Sequence, residues 1–328
     1  MAKKLRIGVL FGGKSAEHEV SIQSAQNVIA ALDKKKYDVV PVKIAKDGAW
    51  DVAQLFPATG HKKPFDVVFP VLHGPFGEDG SVQGLLKLAG VAHVGAGVLG
   101  SAGGMDKDVM KRLLRDAGIP IGTFLVLHSY EKISFAAAKK ALGCPMFVKP
   151  ANLGSSVGVS KVSNAKEFEQ ALADAFQYDT KILIEEAIVG REIECGVLGN
   201  DAPIASVPGE IIPHADFYSY DAKYIDEDGA ALAIPAKLST RETKAVQALA
   251  IKTFKVLECA GLARVDFFLK QNGEILVNEI NTLPGFTDIS MYPKLWEASG
   301  LSQPALLDRL IELALERFAR EQTLKTTH

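Results

Sequence analysis

Four polar residues set into two short apolar runs carry the strongest chemical signal in this sequence. Arg264 and Asp266 stand in Leu-Ala-Arg-Val-Asp-Phe-Phe-Leu (262–269), and Glu279 and Asn281 stand in Ile-Leu-Val-Asn-Glu-Ile-Asn (275–281). Each run reads as a β-strand, where residues two apart share a face. Acids and a carboxamide at that spacing project hard oxygen donors from one sheet surface, as magnesium requires. Such acids are costly to bury without a cation. An exposed sheet face with solvated charges is the competing explanation, and these four residues alone leave both open.

A second signal is Gly154-Ser155-Ser156-Val157-Gly158, shortly after Phe147-Val148-Lys149-Pro150. Small residues let backbone N–H groups approach a polyphosphate, hydroxyls add donors, and Lys149 adds a positive charge at a strand end. The spacing is not that of a P-loop. By itself the run is equally a tight hairpin turn; beside the acidic strands it becomes a nucleotide clamp. Ile182-Leu183-Ile184-Glu185-Glu186 ends another apolar strand in two acids, with Glu192 just beyond. Such an edge suits an adenine and a ribose, and solvated acids at a strand end explain it as well.

The elements that must position these residues alternate. Strands at 6–11, 39–44, 66–72 and 91–94, with helices from Ile22 to Leu32 and over 80–89, predict a small parallel-sheet domain with its ligand at the strand C-terminal ends. A glycine-rich stretch, Gly95 to Gly104, reads as the turn into a helix from Met105 to about Ala117 and marks the first boundary. Strands at 123–126, 146–149, 157–161 and 182–186 with helices at 134–142 and 165–176 form the next segment. From Arg191 the strands lengthen, at 192–199, 202–212 and 263–269, with helices at 241–257 and 304–320. Between 213 and 230, aromatic and charged residues crowd without a period and predict a long functional loop.

Composition sets the outer limits. The chain has 328 residues, with 37 basic and 39 acidic side chains and a net charge of −2. That length supports two or three domains. The balance offers no electrostatic ground for a nucleic-acid or membrane partner, and no apolar run is long enough to span a bilayer. The apolar run after Lys3, Lys4 and Arg6 is too short for a secretory signal, so a cytoplasmic protein is expected. Cys144, Cys195 and Cys259 lack metal spacing and read as buried thiols in a reducing compartment.

Taken in order, Gly12-Gly13-Lys14-Ser15-Ala16-Glu17-His18-Glu19-Val20-Ser21, His73-Gly74 with Gly77-Glu78-Asp79-Gly80, Met105-Asp106-Lys107, the Lys149 to Gly158 stretch, Tyr224 and Asn278 to Gly285 resemble the D-alanine–D-alanine ligases, a family of the ATP-grasp superfamily. The resemblance runs from about residue 4 to the last helix. It implies a mixed α/β, three-domain ATP-grasp architecture: an N-terminal parallel-sheet substrate domain (1–107) and two ATP-clamping α+β domains. These are a central one (108–190) and a C-terminal one (191–328) carrying the metal sites and the 213–230 loop.

The family joins two D-alanines at the expense of ATP for peptidoglycan. Carried over, Lys107, Lys149, Ser156 and Lys223 would contact the ATP phosphates, and Glu185 and Glu192 would lie at the adenosine. Asp266 and Glu279 would hold one Mg²⁺ and Glu279 and Asn281 a second, with Mn²⁺ as the alternative ion. Glu17 would grip the first D-alanine's ammonium in a trio with Ser155 and Tyr224, while His73 and Ser290 would line the substrates. Arg264 and the Gly285 N–H would stabilise the oxyanion. Tyr224 favours an amine acceptor over D-lactate, and a homodimer is the family's expectation.

Overall fold

The computed structural model describes residues 3–56, 63–213 and 230–325, and their strands form three sheets. In the first, β1 (Leu5–Gly12), β2 (Tyr37–Ile44), β3 (Val67–Val71) and β4 (Ala92–His93) pair in parallel in the order β2-β1-β3-β4. β3 is buried along its whole length, as a strand covered on both faces must be. Helix α1 (His18–Ala31) and the C-terminal helix cover one face, and α2 (Ser81–Leu88) covers the other. The order reverses beside β1, so the ligand crevice lies where β1 and β3 end, at Gly12–Glu17 and at His73.

The stretch expected as a glycine-rich turn holds a helix, α3 (Val98–Met105), before α4 (Lys107–Asp116). Its mean composition hid it: the glycines allow close approach, and a Cβ on Gly104 would lie 2.9 Å from the Thr282 methyl. The second sheet is antiparallel, ordered β5-β8-β6-β7 from β5 (Phe124–His128), β6 (Met146–Pro150), β7 (Ser160–Val162) and β8 (Lys181–Glu186). Here α5 (Phe135–Leu142) and α6 (Ala165–Ala175) supply Ala138, Phe168 and Ala171 to one core. β7 starts later than the expected 157–161 because the turn runs on through Gly158.

The third sheet runs β12-β11-β9-β13-β14, again antiparallel, with β10 on β9. Its strands are β9 (Arg191–Gly199), β10 (Ile204–Ala205), β11 (Gly209–Pro213), β12 (Ala230–Ala233), β13 (Gly261–Leu269) and β14 (Ile275–Asn281). The strand expected over 202–212 is split, since Pro208 has no N–H for a ladder. Pro213 pairs with Ala230, so the expected loop leaves and re-enters at neighbouring strand ends; residues 214–229 lie outside the described residues.

α7 (Thr240–Val256) starts with a full capping box between Ser239 and Glu242. α8 (Met291–Ala298) follows a turn fixed by α1, where Ser24 Oγ accepts the Phe286 N–H at 3.1 Å and Asn27 donates to the Phe286 carbonyl at 3.1 Å. Phe69 of β3, Phe286 and Tyr292 of α8 meet edge to face with centroids 5.9 Å apart, each contact adding about 0.5–1.5 kcal/mol beyond burial. α9 (Gln303–Glu321) returns to the first sheet, and its buried Arg317 donates to the His93 and Gly95 carbonyls.

Cys195 and Cys259 are buried, and burial pushes each thiol up to about 12. Cys144 is exposed, contrary to expectation, because it stands in the turn between α5 and β6. Among the described residues no helix is long and apolar enough to cross a membrane.

Candidate active site

Lys107 joins two of the regions singled out from the sequence. Asp106 caps α4 by accepting the Asp108 and Val109 amides, and Lys181 holds that cap with Nζ 2.6 Å from Asp106 Oδ2. The first helical residue is therefore fixed. Its ammonium donates to the Leu153 carbonyl at 2.6 Å and lies 3.6 Å from Glu279 Oε2. The glycine-serine turn and the acidic strand β14 thus share one buried cation.

The turn itself is strained. Ser155 and Ser156 have φ of 52° and 59°, a left-handed conformation that costs non-glycine residues about 1–3 kcal/mol each and collects at functional sites. Ser155 Oγ donates to Glu17 Oε1, which brings this turn against the first sheet. Glu17 is the buried residue before α1, and its N–H donates to Ser15 Oγ at 3.1 Å. The β1 end that aims it needs Gly12, where φ is 93° and a Cβ would stand 2.2 Å from the Ile44 carbonyl oxygen. Tyr224 and Lys223 lie outside the described residues.

On the third sheet the register sets Asp266 opposite Glu279, and Arg264 opposite Asn281. The Arg264 guanidinium forks onto Asp266, with Nε to Oδ1 at 2.7 Å and Nη2 to Oδ2 at 2.8 Å, and its Nε is also 2.8 Å from Glu194 Oε2. Burial works against the charge on Arg264, but Asp266 and Glu194 overcome it and hold its pKa well above the ordinary value. Asn281 Oδ1 accepts the Leu283 N–H at 3.2 Å. No group of three or more His, Cys, Asp or Glu side chains among the described residues is arranged for a metal. The donor set of two carboxylates and a carboxamide is all oxygen, which fits magnesium and not a thiophilic ion.

On the second sheet Glu185 sits between two ammoniums. Lys149 Nζ is 2.6 Å from its Oε2 and Lys111 Nζ is 3.1 Å from its Oε1. Burial would raise the Glu185 pKa; the two lysines outweigh it and hold the carboxyl below its usual range. Burial opposes the Lys149 charge too, yet Glu185 and Glu279 lift its pKa. Lys149 therefore feels the acids of both sheets. Glu192 stands on β9 opposite Phe268 of β13 and Ile211 of β11.

His73 is buried at the end of β3, with Nε2 lacking a hydrogen-bond partner among the described residues. Burial lowers its pKa, so the imidazole is neutral at neutral pH. Gly285 packs on the Ser290 hydroxyl so closely that a Cβ would be 2.8 Å from Oγ. Ser290 in turn bonds Thr287, whose N–H it accepts at 2.9 Å.

Three buried charged residues at this cleft escaped the sequence reading as site residues: Lys111, Glu194 and Glu78. Glu194 follows Glu192 at the same two-residue spacing that exposed Arg264 and Asp266, so its signal was present. Glu78 sits in the His73 to Gly80 motif and accepts the Gly74 N–H at 2.8 Å. Burial, followed by the Glu17 charge, pushes its carboxyl up to about 8. Lys111 had no local signal beyond its place one turn after Lys107.

The family profile described as D-ala D-ala ligase C-terminus matches residues 113–312, and the one described as D-ala D-ala ligase N-terminus matches residues 6–60 and 51–96. A D-alanine--D-alanine ligase of Oceanobacillus iheyensis is 52% identical over 361 aligned positions, covering 99% of each chain. The structure of the D-alanine-D-alanine ligase from Coxiella burnetii is similar with a TM-score of 0.88 and 42% identity, over 98% of this chain and 97% of that one. The D-alanine--D-alanine ligase from Bacillus anthracis complexed with ATP matches with a TM-score of 0.82 and 33% identity, over 97% and 99%. The parallel first sheet, the two antiparallel sheets and these matches place the chain in the D-alanine–D-alanine ligase family, as a ligase of mixed α/β, three-domain ATP-grasp architecture.

Proposed function

We propose that this enzyme uses ATP to join two D-alanines into D-alanyl-D-alanine for peptidoglycan, through an acyl phosphate, in the cytoplasm and as a homodimer. The observation that carries the reading is the double engagement of Lys107 with the Leu153 carbonyl and with Glu279. It supports a single cleft in which a polyphosphate under the serine turn meets the acidic strands. The domain division at 107/108 and 190/191 belongs to the same reading.

Lys107 and Lys149 hold the phosphates, with Ser156 and the turn's N–H groups above them, joined by Lys223 from the long loop. Glu185 and Glu192 face the adenosine. Asp266, Glu279 and Asn281 would hold magnesium, which would supply positive charge against the negative charge that builds during phosphoryl transfer. Glu17, fixed by Ser155 and joined by Tyr224, grips the ammonium of the first D-alanine. Neutral His73 lies beside it without adding charge. Ser290 positions the second D-alanine.

A carboxylate is a poor electrophile until phosphorylated. The terminal phosphoryl group of ATP moves to the first D-alanine's carboxylate, ADP is left, and the second amine attacks the acyl phosphate. Arg264 and the Gly285 N–H meet the oxyanion, and a preorganised donor of this kind typically contributes about 2.7–4 kcal/mol. Phosphate then leaves. The long loop excludes the water that would hydrolyse the intermediate.

ADP release coupled to a spectrophotometric readout, with ATP, magnesium and D-alanine, tests the whole reading. One ADP and one phosphate per dipeptide are expected. ADP release that needs a different amino acid, or that D-alanine does not stimulate, would contradict it.

A further inference from the structure

The Glu185 cluster holds one cation more than its carboxylate needs. Lys111 follows Lys107 by four residues on α4, so the two share a helix face, and its side chain is 3% exposed. Its Nζ lies 3.1 Å from Glu185 Oε1, while Lys149 holds Oε2 at 2.6 Å. The sheet register flanks Glu185 with Phe124 on β5 and Phe147 on β6, and the Lys111 ammonium stands 5.7 Å from the Phe124 ring centroid. Burying a second ammonium against an already paired carboxylate is unfavourable for folding alone.

Lys149 differs from Lys111 in what surrounds it. It is the penultimate residue of β6, close to the serine turn, whereas Lys111 lies on α4; the Glu279 charge reaches both ammoniums. A lysine that moves from a carboxylate to a phosphate leaves that carboxylate buried without its partner, which is strongly unfavourable. Lys111 removes that obstacle.

We propose that Lys111 is a positioning residue for nucleotide binding: the permanent counter-ion of Glu185, which lets Lys149 transfer to the ATP phosphates without stranding a buried carboxylate. The inference rests on the reading of Lys149 and Glu185 as nucleotide-site residues. Lys111 itself need not touch ATP.

Lys111→Met is the direct test, read by steady-state kinetics with ATP and D-alanine varied separately. The KM for ATP rises about tenfold or more, corresponding to about 1.4 kcal/mol, and the KM for D-alanine stays within about twofold. Lys111→Arg, which keeps the charge, recovers most of the ATP affinity. Removing the acid removes the need: Lys111→Met in a Glu185→Gln background changes ATP affinity less than about threefold relative to Glu185→Gln alone. An unchanged ATP KM in Lys111→Met, or equal rises in both KM values with a lower melting midpoint, overturns the proposal.

Should the single variant fail to fold, calorimetric titration of Mg-ADP into Glu185→Gln and into the double variant decides, and a further tenfold loss in the double variant overturns it. Lys149→Met separates the two levels. If it leaves the ATP KM unchanged, the nucleotide-site reading fails and takes this inference with it; if it raises that KM and Lys111→Met does not, only the counter-ion role falls.

Discussion

Two buried charge clusters on neighbouring sheets differ in make-up among the described residues, one gathered around a carboxylate and the other around a guanidinium. On the second sheet, one acid, Glu185, has two lysines. On the third, one guanidinium, Arg264, has two acids, Glu194 and Asp266, with Glu279 opposite Asp266 in the register. Paired ammoniums suit a phosphate, and carboxylate oxygens gathered on one sheet face suit a divalent cation. Lys107 spans the gap between the serine turn and Glu279, so on the proposed reading ATP with magnesium would engage both clusters together.

Perturbing the acid-rich cluster gives the largest expected effects. Arg264→Met removes the proposed oxyanion donor and takes the guanidinium away from Glu194 and Asp266; kcat falls about 10²–10³-fold, and a lowered thermal midpoint accompanies it. Wild-type turnover in that variant would break the contrast at its strongest point. Next, Glu279→Gln raises the magnesium concentration for half-maximal activity by about tenfold or more, while ADP release at saturating D-alanine also drops. A magnesium titration superimposable on the wild type would remove Glu279 from the ion's surroundings.

Glu17→Gln sharpens the comparison from the substrate side. The KM for the first D-alanine rises about tenfold, as expected for loss of a charge-assisted contact, with the KM for ATP little changed. Equal changes in both would mean that Glu17 acts through the serine turn instead.

Glu78 supplies the smallest effect and the contrasting case, a buried acid held by the Gly74 and Leu283 amides. Its pKa is raised from 4.5 to about 8. Between those values the folded protein keeps a proton that the unfolded chain has released, so this group lowers stability as pH rises through the window and adds no further slope above it. Glu78→Gln abolishes that contribution: its melting midpoint gains on the wild type steadily from pH 5 to pH 8. Parallel midpoint curves would show that Glu78 does not titrate there.

How much of this was legible in the sequence depended on whether its cause was local. The alternation around Arg264, Asp266, Glu279 and Asn281 was visible because a strand's period of two is written into any short window. The parallel first sheet was legible from its alternating strands and helices. Helix α3 was hidden by its glycines, of which Gly104 packs on Thr282 and Gly100 on the Glu258 backbone, and the 202–212 strand was broken at Pro208. Lys111 and Glu78 were illegible as site residues for another reason. Their significance comes from Glu185, 74 positions away, and from Glu17 across the first sheet, and no local pattern encodes such a meeting. The roles given to Lys223 and Tyr224 rest on resemblance, since both lie outside the described residues.

Activation of a carboxylate by phosphorylation can be followed directly with an oxygen label. With D-alanine carrying ¹⁸O in both carboxylate positions, each phosphate released carries one labelled oxygen, taken from the first D-alanine as the amine displaces it. Phosphate free of label, with dipeptide still formed, would mean that no acyl phosphate lies on the path and would contradict the account.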